Sequence, residues 1–344
     1  MKILVINKYF LPYKGGVEFY INNLSNNLHN KFGVDLTILC KRLNGLPIKE
    51  KLNNVNIIRV NRIIEMFKYL NNSYSLIHVH MPRSPYTIIA LIIAKIKGIP
   101  IVLTPHCFYQ SHGIKKILLP LFDMLITKRI LNAMDAVINL TDIDRSDAIN
   151  IGLDPKKAMI IPNSIDDKSL SNVQLINFKS KYDISSEFLL HIGRFNEVKR
   201  IDWLIENVID YLNNYILVLI GQDDGSLREI NNYITINSLN DKVIILENID
   251  DVDVRSAYRQ AKLFVMTSQK EGLPTVLLES LYYGCPILTS DVGGIPLAFN
   301  NAPATILFKN DDIIDFKRKL EISLNLKVSQ EKMKDFVVDK FSWD

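Results

Sequence analysis

Short unbroken apolar runs recur along this chain, and most are followed by a longer stretch in which apolar residues return with helical spacing. Ile3–Ile6, Leu36–Leu39, Ile57–Val60, Leu76–Val79, Ile101–Leu103, Ala136–Ile138 and Met159–Ile161 are predicted strands. Val17–Leu28, Thr87–Lys97 and Ile114–Leu131 are predicted amphipathic helices. Runs of Val, Ile and Leu without polar alternation suit strands covered on both faces. Their alternation with helices predicts an α/β fold with a parallel, doubly wound sheet. The pattern then starts again, with strands expected at Phe188–Ile192, Ile216–Ile220, Val243–Leu246, Leu263–Met266 and Pro286–Leu288. Between the two sets, residues 162–187 are polar and rich in Asn, Ser, Asp and Lys. Two Rossmann-like domains follow, 1–165 and 166–344, joined near Ser164 to Asp167. Ligands bind at the carboxyl ends of such strands, so the expected site is a cleft between the domains.

Composition narrows the class. Apolar residues make up 48% and charged residues 23%, which is ordinary for a soluble chain. No apolar run approaches the roughly 20 residues that span a bilayer. The opening Met-Lys-Ile-Leu-Val-Ile reads as a first buried strand and is too short for a signal-peptide core. Cys40, Cys107 and Cys285 are far apart and odd in number, so neither a disulfide framework nor a metal cluster is expected. A cytoplasmic setting is the simplest expectation.

Charge adds an asymmetry. Through Ile165 there are 21 basic and 10 acidic residues, and beyond it 20 basic and 27 acidic. A basic first half suggests an anionic neighbour there. No nucleic-acid-binding motif is visible, so nucleic acid is not an expected partner. An anionic membrane surface, met peripherally, or a phosphate-bearing acceptor fits equally well, and so do plain solvated lysines. Ile114–Leu131, apolar with basic ends, suits either a lipid-facing helix or a core helix.

Several short strings carry candidate chemistry. Glu271-Gly-Leu-Pro-Thr-Val-Leu-Leu-Glu279 sets one carboxylate before a Gly-Leu-Pro turn and a second about two helical turns later. Pro274 suits a first helical position. Two such acids can hold two parts of one polyhydroxylated ligand, although an ordinary loop and helix with surface acids has the same look. Gly15-Gly16 lies between a strand and a helix, where backbone can approach a ligand and helix-end N–H groups suit a phosphate. Arg194 and Lys199 follow Gly193 at a strand end and offer two cations to a phosphate. Glu18 has an ordinary role opposite the helix dipole. His78 and His80 share a strand face, yet two histidines with no third ligand make a poor metal site, and with His112 they read as packing residues. Arg83 suits an acceptor phosphate or water. Asp223-Asp224 and Asp250-Asp251 are superficial matches to an acidic metal motif.

Taken in order, these strings resemble the family 4 glycosyltransferases, enzymes of GT-B architecture that retain anomeric configuration. The resemblance spans nearly the whole chain. It rests on Pro12-Tyr-Lys-Gly15-Gly16-Val17-Glu18, His78-Val-His80-Met-Pro-Arg83, Thr104-Pro-His106 and Ile161-Pro-Asn163-Ser164-Ile165-Asp166. His191-Ile-Gly193-Arg194 through Lys199-Arg200, the Glu271–Glu279 string and Asp291-Val-Gly293-Gly294-Ile-Pro296 complete it.

The resemblance implies sugar transfer from a nucleoside-diphosphate sugar to an acceptor hydroxyl on a glycan or lipid-linked acceptor. It implies front-face attack, with no metal and no cofactor besides the donor substrate. It gives Gly15 and Gly16 a loop touching the donor diphosphate and the acceptor, and Arg194 and Lys199 the departing diphosphate. It gives Glu279 the ribose hydroxyls and Glu271 the transferred sugar. The N–H groups of Gly272, Leu273, Thr275 and Val276, with Gly193, complete the donor site. His106 would lie beside the sugar, bonding a hydroxyl or stabilising positive charge near the anomeric carbon. The same architecture also serves a nucleotide-sugar epimerase, a phosphorylase or a non-catalytic sugar-nucleotide-binding protein. Three positions depart from the family pattern. Ser164 and Arg200 stand where Gly is usual, which predicts strain at Ser164 in a left-handed turn and an altered backbone at Arg200. Leu297 replaces a frequent Glu.

Overall fold

The apolar runs become the central strands of two parallel sheets. The computed structural model describes residues 1–13, 15–52, 54–71, 73–106, 108 and 119–343. It divides into two compact units, 1–162 and 163–344.

The first unit carries β1 (Lys2–Ile6), β2 (Asp35–Lys41), β3 (Lys49–Leu52), β4 (Val55–Val60), β5 (Leu76–His80), β6 (Ile101–Thr104), β7 (Ala136–Asn139) and β8 (Ala158–Ile160). Their order in the sheet is β3-β4-β2-β1-β5-β6-β7-β8. Every pairing is parallel except β3 with β4. Strand β3, Lys-Glu-Lys-Leu, has no apolar signal in the sequence because it is a largely exposed edge hairpin partner. At the other edge, β8 departs from the expectation of burial on both faces. Met159 and Ile160 are 50% and 42% exposed, since an edge strand has only one neighbour to cover it. The core packs Ile77, Val79 and Leu103 against Ala90 and Ala94 of the helix Pro85–Lys97. Ser84 starts that helix, its hydroxyl accepting from the N–H of Tyr86, with Pro85 at a first-turn position where no N–H is needed.

The second unit carries β9 (Glu187–Ile192), β10 (Tyr215–Gly221), β11 (Val243–Glu247), β12 (Leu263–Met266), β13 (Ile287–Ser290) and β14 (Thr305–Phe308), ordered β11-β10-β9-β12-β13-β14 and all parallel. Its core joins Leu189, Leu217, Leu263 and Leu288 to Leu204, Ile230 and Phe316 from the covering helices.

The boundary between the units falls between Pro162 and Asn163, whereas the sequence places it after Ile165. The segment after Pro162 is tied to the second unit. Ile165 N–H donates to Phe341 O at 2.7 Å, and Trp343 N–H donates to Ile165 O at 3.1 Å.

Both sheets have a point where the chain, having built outward on one side of the first strand, returns to the other side. In the first unit it lies between β1 and β5, and in the second between β9 and β12. Loops leaving neighbouring strands diverge there and open a crevice at the carboxyl ends. The residues assigned a site role in the sequence follow β1, β6, β9 or β12, or lie on the next helix.

Candidate functional site

In the second unit, β9 runs out into Gly193 and Arg194, and β12 runs out toward Glu271. Lys199 Nζ donates to Glu271 Oε1 at 2.5 Å, and both side chains are largely covered. The sequence reading assigns these residues separate partners, phosphate and sugar, and the structure brings them into one ion pair. Arg194 pairs with Asp224 at 3.2 Å. Asn196 Nδ2 also donates to Asp224, at 2.8 Å. In the sequence, Asp224 stands out only as half of a metal-motif match. Its neighbour Asp223 holds a turn instead, accepting from the N–H groups of Gly225 at 2.9 Å and Leu227 at 3.1 Å. Asp250 is the N-cap of the helix Asp251–Gln260. Among the described residues, no group of three His, Cys, Asp or Glu is arranged to hold a metal ion.

Close backbone contacts fix these strand ends. A Cβ on Gly221 would lie 1.9 Å from Gly193 O, so only glycine lets β10 pass that carbonyl. A Cβ on Gly293, whose φ is +55°, would lie 1.7 Å from Glu271 O. Gly294 N–H donates to Gly272 O at 3.2 Å. The Gly293-Gly294 pair therefore braces the loop carrying Glu271 rather than marking an unrelated turn. Asn163 Nδ2 donates to Leu273 O at 2.5 Å, tying the crossover segment to the same loop. The sequence alone suggests no role for Asn163, because a bond across 110 residues leaves no local signal.

The helix after this loop is Thr275–Tyr282, and Pro274 is its extended N-cap, with ψ 122°, rather than its first helical residue. Proline cannot be a capping donor or acceptor through its side chain, and Pro274 leaves the helix without a side-chain cap. First-turn N–H groups have no acceptor within a helix, so those of Thr275 and Val276 suit an anion. Glu279 lies on this helix and accepts from Tyr258 Oη at 3.3 Å. Burial pushes its carboxyl up to about 7, against the opposing pull of Arg255 and the Tyr258 bond.

The departures resolve differently. Arg200 keeps the left-handed conformation, φ 52° and ψ 50°, that glycine would adopt easily, so the backbone is not altered there. Thr267 Oγ1 donates to the carbonyl of Arg200 at 3.2 Å and to that of Lys199 at 3.0 Å. The guanidinium lies 4.9 Å from the Trp203 ring centre and pairs with Asp311. Ser164 is absent from the left-handed residues, so the predicted strain does not arise. Leu297 is 63% exposed.

The first unit builds a different environment. Gly15 is the extended N-cap of the helix Gly16–Phe32. A Cβ on Gly16 would meet nothing within 4 Å, so the backbone borders open space. Glu18 is buried in the first turn of this helix, where an acid suits the dipole, and it also accepts from Asn7 Nδ2 at 3.1 Å just past β1. His78 and His80 share a face of β5, as the alternation requires, with ring centres 4.4 Å apart. His106, two residues past β6, joins them, and its Nε2 lies 2.9 Å from His80 Nδ1. His78 Nε2 lies 2.8 Å from Thr104 Oγ1. Tyr20 meets the His106 ring edge-on at 5.1 Å. Burial lowers all three imidazoles, His78 to about 4, His106 to about 3 and His80 well below its usual value, so the group is neutral. Met81 and His106 both have left-handed backbones, φ 66° and 64°, a strained state that clusters at functional sites. Arg83, expected at an acceptor phosphate or in water, instead grips Asp123 with two bonds of 2.9 and 2.6 Å. Cys107, His112, Lys115 and Lys116 lie outside the described residues.

Comparison with known proteins bears on the family and the fold. Residues 14–169 match the family model described as Glycosyltransferase Family 4, and residues 173–337 match Glycosyl transferases group 1. A Campylobacter jejuni protein named GalNAc-alpha-(1->4)-GalNAc-alpha-(1->3)-diNAcBac-PP-undecaprenol alpha-1,4-N-acetyl-D-galactosaminyltransferase is 34% identical over 158 residues, 44% of this chain and 42% of that protein. A human phosphatidylinositol N-acetylglucosaminyltransferase subunit is 22% identical over 312 residues, 86% of this chain and 63% of that protein. This chain thus spans less than two thirds of either relative. The solved structure of Anabaena HepE in complex with UDP-glucose superposes with a TM-score of 0.80 at 15% identity, covering 99% of this chain and 96% of that one. Matched along both halves and sharing the GT-B fold, the chain belongs to the family 4, group 1 glycosyltransferases.

Proposed function

We propose that this glycosyltransferase takes a hexose-like sugar from a nucleoside diphosphate and passes it, with retained anomeric configuration and without a metal, to an acceptor hydroxyl. The observation carrying this reading is the convergence of Arg194, Lys199, Glu271 and the Thr275–Tyr282 helix start at the adjoining ends of β9 and β12. The bond from the anomeric carbon to the phosphate oxygen breaks, and its electron pair leaves with the diphosphate. The acceptor oxygen bonds to the same face, and its proton passes to the departing phosphate. Negative charge on the leaving group grows as the bond breaks. Fixed cations therefore stabilise the transition state more than the bound donor. Asp224 and Glu271 hold Arg194 and Lys199 in position before the donor arrives. The diphosphate then competes with Asp224 for Arg194, and sugar hydroxyls share Glu271 with Lys199. Glu279, when ionised, accepts hydrogen bonds from the ribose diol. The two glutamates belong to different parts of the donor and do not flank one bond as a glycosidase pair does.

A thermal-shift panel of nucleotide sugars tests the reading, because a ligand that binds only the folded state raises its melting temperature. One base and sugar combination should stand out. No shift with any member would overturn the donor class. Turnover should survive EDTA, whereas complete loss restored by a divalent ion would replace the metal-free step. An NMR coupling constant at the product's anomeric carbon would contradict retention if it reported inversion.

An anionic, lipid-borne acceptor is the favoured acceptor class. Its support is the basic first half, together with Leu121, Met124, Leu125 and Ile126, which are 50%, 58%, 44% and 41% exposed beside Lys128 and Arg129. The names of the Campylobacter and human relatives contain PP-undecaprenol and phosphatidylinositol. No helix among the described residues is long and apolar enough to cross a membrane. A peripheral contact through this strip suits such an acceptor.

A further inference from the structure

The histidine cluster of the first unit contains a proton whose position the surroundings decide. His80 Nδ1 and His106 Nε2 are 2.9 Å apart. Burial keeps both rings neutral, so one nitrogen of the contact carries a proton and the other offers a lone pair. Two arrangements satisfy the contact. In one, His106 donates from Nε2, and the proton of His80 then sits on Nε2. His80 is 1% exposed, and its Nε2 has no hydrogen-bond partner among the described residues. That arrangement buries an imidazole N–H with no acceptor, a state that folded proteins avoid more strictly than an unused lone pair. In the other, His80 donates from Nδ1 and leaves only a lone pair buried. His78 lies beside His80, ring centres 4.4 Å apart and planes tilted by 38°, and bonds Thr104 through Nε2; it makes no hydrogen bond to His80 Nε2.

We infer that His80 is a positioning residue that donates to His106 and fixes it as the Nδ1–H tautomer, so that His106 presents a hydrogen-bond donor to a hydroxyl oxygen of the transferred sugar. With Nε2 committed to His80, Nδ1 is the only ring nitrogen left for a ligand. A neutral N–H donor suits a sugar oxygen and does not suit a cationic anomeric carbon, which separates the two roles the sequence allows for His106. The inference rests on the reading that His106 lies beside the transferred sugar, but the tautomer itself does not.

The test uses the full chain labelled with 15N-histidine, free of substrate. Among its six histidines, His106 and His80 are assigned by comparison with His106→Gln and His80→Asn. Long-range 1H–15N spectra should place the His106 proton on Nδ1, and a proton on Nε2 overturns the inference. His80→Asn retains an N–H in nearly the same place and should keep both the tautomer and most of the turnover. His80→Phe should lose the fixed tautomer and about tenfold in kcat, with little change in KM, as expected for one lost hydrogen bond felt in the transition state. Equal turnover losses in Asn and Phe variants overturn the positioning role. If no nucleotide sugar is turned over while the tautomer is as expected, the failure belongs to the functional reading and not to the histidine pair.

Discussion

Both units place their site groups at the carboxyl ends of parallel strands but give them different electrostatics. At the ends of β5 and β6, three imidazoles and Tyr20 pack together, desolvated and neutral. At the ends of β9 and β12, each cation is matched to an acid, Arg194 to Asp224 and Lys199 to Glu271. The neutral cluster can orient hydroxyls without attracting ions. In the proposed reaction the charged cluster exchanges a protein carboxylate for a phosphate.

The largest effects should come from the charged side. Lys199→Ala and Arg194→Ala should each lower kcat by about 100-fold or more, the scale of removing one preorganised group that stabilises developing charge. Either variant should lose more affinity for a nucleoside diphosphate than for the uncharged nucleoside. Equal losses, measured by calorimetry, would mean that structural damage explains the result. Asp224→Asn should move the other way and bind the diphosphate several-fold more tightly, because it weakens the rival for Arg194.

Glu279 gives a smaller, pH-dependent effect. Glu279→Ala should weaken nucleotide binding by about 1.5–3 kcal/mol, the worth of a hydrogen bond to a charged group. With the carboxyl pushed up to about 7, the proton is largely held at pH 6 and largely lost at pH 8. Wild-type nucleotide affinity should therefore rise across that interval, and Glu279→Gln should flatten the rise. The stability sign is opposite. Between the unfolded value near 4.5 and the folded value near 7, the folded state holds a proton that the unfolded state has released. The contribution of Glu279 to stability thus falls as pH rises through that window. Denaturant midpoints that rise across it, relative to Glu279→Gln, would contradict this assignment.

These charges are easier to read in the sequence than the neutral cluster. Arg194, Lys199, Glu271 and Glu279 stand in short strings beside glycines and a proline, so local spacing already suggests a phosphate and a diol. Their pairing, through Asp224 and through Lys199 with Glu271, depends on contacts across 30 and 72 residues and has no local pattern. The histidines read as packing residues because nothing in His-Val-His indicates that a third ring from the next strand will meet them. Fold class is legible because a strand buried on both faces must be apolar throughout. The exposed β3 escapes a reading by apolar runs because an edge strand carries no such requirement.

The smallest expected effect concerns the surface of the first unit. Lys128→Gln with Arg129→Gln should reduce binding to vesicles containing anionic lipid, most clearly at low salt, where surface charges act over a longer range. Equal binding to neutral and anionic vesicles would favour a soluble acceptor.

Whether the ends of β9 and β12 bind a nucleoside diphosphate through Arg194 and Lys199 can be decided by isothermal titration. The preferred nucleoside and its diphosphate are each titrated into wild type, Arg194→Ala and Lys199→Ala. Wild type should prefer the diphosphate by at least about tenfold, which corresponds to roughly 1.4 kcal/mol. Each variant should erase most of that preference while still binding the nucleoside. A wild type that binds both equally, or variants that keep the full preference, would contradict the assignment of these two cations to the diphosphate.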